Sequence, residues 1–135
     1  MLRVRECPTV AAAAVLLAAA HPALAMSPAV LRRTLRARPL RLRVLPALSP
    51  ERAAAVVRGV AARLPCRPSC LEQAAALVWI LAAQGTAAHM AIGVRREGGG
   101  LAAHAWVERD GRVLLGDPSS AGFAPLATRI DPCRA

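Results

Sequence analysis

The sequence predicts an α+β fold in which helices come first and a small antiparallel sheet comes after them. Two observations carry this. Up to Gly85, the apolar runs have helical length, open on capping residues and close on proline or glycine. Beyond Gly85, apolar runs of strand length alternate with the turn signals Gly98-Gly99-Gly100 and Asp110-Gly111. At 135 residues the chain is one compact domain with one core. Residues 1–48 form an N-terminal helical region with an arginine-rich segment, and residues 49–135 form the core.

The elements can be justified in order. Residues 8–20 are alanine-rich and helical. Arg3 and Arg5 precede this apolar run, and Ala23-Leu24-Ala25 comes after it, so the pattern also fits a secretory signal cleaved after Ala25. The run is too short for a comfortable membrane span. Residues 28–37 form a second helix. Pro39, Pro46 and Pro50 interrupt the next stretch, leaving 38–48 as a linker. Ser49-Pro50-Glu51 opens the next helix with an N-cap, a proline at the first position and an acid in the first turn. That helix runs to about Arg63 and stops before Pro65. Ser69 and Glu72 form a capping box that starts another helix at Cys70, ending near Gln84 with Gly85 as its cap. Strands are expected over 87–95, 101–109 and 113–117. A loop at 118–122 leads to a short last strand over 123–130. No internal repeat is present.

Chemistry concentrates at two places. In the hairpin around Asp110-Gly111, a two-residue turn pairs Arg109 with Arg112, 106 with 115, and His104 with Asp117. His104 and Asp117 then lie opposite each other, with β-carbons about 4.5–5.5 Å apart. A carboxylate there fixes the imidazole tautomer and stabilises its protonated form. A three-residue loop would slip the register by one and turn Asp117 to the other face. The second place is Cys70, the first residue of its helix. The partial positive charge of a helix N-terminus favours thiolate, the nucleophilic form. Its backbone N–H, free of any intrahelical acceptor, is suited to bind an oxyanion. Trp106 shares the His104 face and serves as packing that shields the site. His89 on the preceding strand is read as a solvent-facing or satisfied histidine, and Glu72 as a cap rather than an acid catalyst.

Cysteine at a helix start, histidine on a strand and aspartate on the paired strand resemble the papain-like and transglutaminase-like architecture. Cys70-Leu71, Gly85, Ala91-Ile92-Gly93-Val94-Arg95, Ala103-His104-Ala105-Trp106-Val107-Glu108 and Asp110-Gly111 together are similar to one family in particular. It is the stand-alone B-type leader peptidases of lasso-peptide biosynthesis, which are transglutaminase-like cysteine proteases. The similarity covers residues 66–126. It departs after Cys70-Leu71, where many members have a basic residue and a serine and this chain has Glu72-Gln73-Ala74. The resemblance implies a Cys70–His104–Asp117 peptidase acting on the leader of a ribosomally made precursor peptide. It also implies a cytoplasmic location, a separate leader-recognition protein and an asparagine-synthetase-like cyclase as partners. The family carries N-terminal helices followed by proline and arginines, as over Pro28 to Arg43, which favours the folded-helix reading of residues 8–20. Two rival readings stay open: a secreted transglutaminase-like hydrolase or amide-transfer enzyme, and a catalytically inactive interaction module.

Composition narrows the alternatives. Net charge is +10 and every basic residue is arginine, with a cluster at Arg32, Arg33, Arg36, Arg38, Arg41 and Arg43. Aromatics are limited to Trp79, Trp106 and Phe123, so no stacking platform for bases interleaves the cluster, and nucleic-acid binding is not expected. A docking surface for an acidic peptide or partner fits better. Cys7, Cys66, Cys70 and Cys133 match no common zinc spacing and are read as reduced. No motif calls for a metal or another cofactor.

Overall fold

The computed structural model describes residues 7–26, 47–117 and 122–130. Helix α1 spans Cys7–Met26, α2 Pro50–Ala61 and α3 Cys70–Ala83. Four strands come next: β1 His89–Glu97, β2 Gly100–Arg109, β3 Arg112–Leu115 and β4 Ala124–Ile130. They form one antiparallel sheet in the order β3-β2-β1-β4. The protein is therefore α+β, with its helices and strands segregated along the chain. The expected helix over 28–37 and most of the 38–48 linker, with the arginine cluster, fall outside the described residues, as do Cys133 and the loop core at 118–121.

The caps act as the sequence dictates. The Ser49 side chain accepts from the Arg52 N–H at 3.2 Å, with Pro50 at the first position and Glu51 in the first turn. At α3, the Ser69 hydroxyl accepts from the Glu72 N–H at 3.3 Å, and the Glu72 carboxylate accepts from the Ser69 N–H. Gly85, at φ +76°, closes α3: its N–H donates to Ala82 and the Thr86 N–H to Leu81, at 3.0 and 2.8 Å. This left-handed position needs glycine.

Helix α3 is the centre of the molecule. Leu77, Val78, Ile80 and Leu81 are fully buried, and α3 meets α1, α2, β1 and β2. From α1, Thr9, Ala13 and Leu17 recur every four residues and are all fully buried, so this helix presents one face to the core despite its uniform composition. From α2, Ala53, Ala54, Val56 and Val57 fill the same core, and from the sheet Met90, Ala105, Val107 and Leu115 do. The N-terminal and C-terminal parts thus share one core.

The hairpin departs from the expected register. Asp110 and Gly111 form the two-residue turn, at φ +50° and +75°, and Arg109 pairs with Arg112 and Glu108 with Val113. Then the ladder shifts, and Val107 pairs with Leu115. Leu114 is the extra residue of a bulge, so 106 does not pair with 115 and the direct His104–Asp117 pairing is not made. The strand ends at Leu115, and Gly116 turns at φ +73° before the exposed Asp117. The turn itself keeps its two residues; a single bulged leucine moves the register.

Candidate active site

Alternation along β2 divides its side chains between two faces. Ala105 and Val107 join the helical core. His104, Trp106 and Glu108 lie on the other face, beside Gly93, Ala91 and His89 of β1, their respective partners in the ladder. His104 is half-buried between two aromatic rings. Its imidazole stacks on Trp106 at 6.3 Å between centroids and on Phe123 at 5.1 Å. The Arg95 guanidinium covers the Phe123 ring at 4.8 Å. One row of side chains therefore crosses this face, from Arg95 through Phe123, His104, Trp106 and Glu108 to His89.

Two glycines make room for that row. A β-carbon at Gly93 would lie 2.8 Å from the Trp106 ring and 2.9 Å from the Ala124 carbonyl oxygen. The indole packs directly over the glycine. A β-carbon at Gly116 would lie 2.7 Å from the Ala105 carbonyl oxygen and 3.3 Å from His104 Nε2. The Nε2 edge of the imidazole thus faces the Gly116 turn, which leads into Asp117.

Trp106 is 2% exposed, and its indole N–H donates to Glu108 Oε1 at 2.5 Å. The second carboxylate oxygen, Oε2, lies 3.2 Å from His89 Nε2. His89 is a satisfied histidine, as expected, and its partner is Glu108. Sequence reasoning missed Glu108, Phe123 and Arg95 as neighbours of the site. Alternation could have placed Glu108 on the His104 face, but nothing local signals that Phe123 returns to it from beside β4.

Cys70 is where the sequence puts it, at the first position of the capped helix α3, half-buried against the helical core. Glu72 is 4% exposed and occupied with the cap. Among the described residues, no hydrogen bond joins Cys70 to His104. The structure therefore brings together His104, Trp106 and the Gly116 turn. No cluster of three or more metal-ligating side chains occurs among the described residues. No helix among them is long and apolar enough to cross a membrane.

A family model described as the transglutaminase-like superfamily matches residues 5–128, nearly the whole chain. The chain belongs to the transglutaminase-like superfamily. The match includes α1 and β4 as well as the cysteine helix and the histidine strand, so this superfamily domain spans both parts of the chain. No curated protein and no solved structure matches it.

Proposed function

We propose that this transglutaminase-like protein is a cysteine peptidase that removes the leader from a ribosomally made lasso-peptide precursor. The observation that carries the reading is the superfamily match over a chain with Cys70 at a capped helix N-terminus and His104 on the sheet. The signature around Gly93 and His104-Ala105-Trp106-Val107-Glu108 supplies the narrower substrate class.

In this mechanism the Cys70 thiolate attacks the scissile carbonyl, and the Cys70 backbone N–H donates to the oxyanion. His104 gives its proton to the leaving amine as the C–N bond breaks, leaving a thioester. His104 then takes a proton from water, which attacks the thioester and releases the carboxylate and the thiol. Asp117 orients His104 from the Nε2 side, where the Gly116 turn approaches, so Nδ1 exchanges the protons. Trp106 shields the imidazole. The reaction uses no metal or cofactor.

A separate recognition protein delivers the leader, and an asparagine-synthetase-like cyclase takes the product. The location is cytoplasmic: α1 contributes Ala13 and Leu17 to the core, which a signal cleaved after Ala25 would remove.

The absence of a hydrogen bond between Cys70 and His104 among the described residues favours a second reading, an inactive interaction module, unless substrate or partner brings the two together. Catalytic hydrogen bonds are often long before substrate binds, and tighten only in the complex. The deciding experiment is the pH dependence of Cys70 alkylation, with Cys7, Cys66 and Cys133 replaced and His104→Ala as control. It is run with and without the precursor and its recognition protein. Fast alkylation below pH 8 that the control loses supports the peptidase. An ordinary thiol profile in every condition, unchanged in the control, leaves the inactive module.

A further inference from the structure

Glu108 stands outside the proposed Cys70–His104–Asp117 chemistry, yet its carboxylate ties two side chains of the histidine face together. Oε1 takes the proton of the Trp106 indole at 2.5 Å, and Oε2 lies 3.2 Å from His89 Nε2. The indole is buried and wedged. Its six-membered ring meets Gly93 at one end, its N–H is held by Glu108 at the other, and its face stacks on His104. The side chains of Glu108 and His89 are 22% and 19% exposed, so the pair closes the end of the row against solvent.

A buried indole N–H costs free energy when it loses its acceptor, so the ring turns to regain one. With Gly93 leaving no slack at the far end, any such turn is transmitted to the imidazole. We propose that Glu108 is a positioning residue: braced by His89, it holds Trp106 and through it sets the orientation of His104. The proposal rests on the reading of His104 as the proton-transfer group only for its catalytic consequence; the positioning itself does not.

The test tracks the His104 ring-proton resonances by NMR in the full chain, assigned by their loss in His104→Ala. Glu108→Gln keeps an oxygen to accept from the indole and an amide to reach His89, and it leaves the resonances in place. Glu108→Ala moves them, because the ring currents of a displaced Trp106 change. In a Trp106→Phe background, Glu108→Ala adds no further movement. A merely structural Glu108 would lower the melting temperature without this dependence on Trp106 or rescue by glutamine. Should Glu108→Ala fail to fold, Glu108→Asp carries the test, since it keeps the charge and shortens the reach by one methylene. Unmoved His104 resonances in a folded Glu108→Ala or Glu108→Asp protein overturn the proposal.

Alkylation of Cys70 in the same variants separates this from the peptidase reading. A misplaced imidazole slows it by up to about 100-fold. If the His104 resonances move while alkylation stays equal in all variants and in His104→Ala, the positioning stands and the peptidase reading fails.

Discussion

At the scale of single residues, space decides as much as chemistry. Gly93→Ala places a methyl group 2.8 Å from the Trp106 ring and 2.9 Å from a β4 carbonyl. Overpacking of this kind costs about 1–3 kcal/mol. Urea unfolding is expected to show that loss, together with a shifted Trp106 fluorescence, and an unchanged midpoint would mean that β4 yields freely. Gly116→Ala meets both a left-handed φ of +73° and the backbone of Ala105 at 2.7 Å, beside His104 Nε2. It should disturb the imidazole as well as the fold. On the proposed peptidase mechanism, His104→Ala is expected to lower turnover by roughly 10²–10⁴-fold, the usual contribution of a general acid–base group. Cleavage of the precursor measured by mass spectrometry checks this; turnover within a factor of two of the parent would remove His104 from the mechanism.

At the scale of elements, the helix caps and the bulge have different standing. Ser69→Ala deletes the acceptor for the Glu72 N–H and costs about 1 kcal/mol of stability. The Glu72 carboxylate keeps its bond from the backbone N–H at 69, but the lost acceptor lies in a part-buried cap, so the loss should exceed that of Ser49→Ala at α2, whose cap is exposed. Parallel denaturation curves of the two variants make the comparison, and equal losses would show that burial of the α3 cap contributes nothing. The β3 bulge is a tertiary choice. Leu114 is half-buried against the core and its carbonyl accepts from Arg58 of α2 at 3.2 Å, while Leu115 is buried. Placing both leucines inward needs an extra residue in the ladder, at the expense of the regular register that would have set Asp117 opposite His104.

At the scale of the whole molecule, α1 is the part whose role separates the readings. Leu17 is fully buried, and Leu17→Ala is expected to cost about 2–5 kcal/mol. A chain starting at Met26 would lose the entire face formed by Thr9, Ala13 and Leu17 and expose the α1-facing sides of α2 and α3. Such a protein should fail to give a cooperative thermal transition by circular dichroism. A transition matching that of the full chain would make α1 dispensable and return weight to export after Ala25. The core is built mainly from Ala, Val and Leu, which bury little area per residue, so each lost contact weighs heavily.

The features that the sequence determined by itself are those governed by local physics. Ser49, Ser69 and Gly85 mark helix ends because their side chains, or the lack of one, serve the backbone beside them. Asp110-Gly111 marks the hairpin turn because it tolerates positive φ at both positions. Cys70 at a helix start and the shared face of His104 and Trp106 come from the same local rules. Only the tertiary structure decided the register beyond the turn, because two leucines and an arginine on another helix compete there with regular pairing. It also brought Phe123 onto His104 from a distant part of the chain, and it used Gly93 as the seat of an indole. Both contacts depend on how distant segments of the chain pack together, which leaves no mark in local spacing.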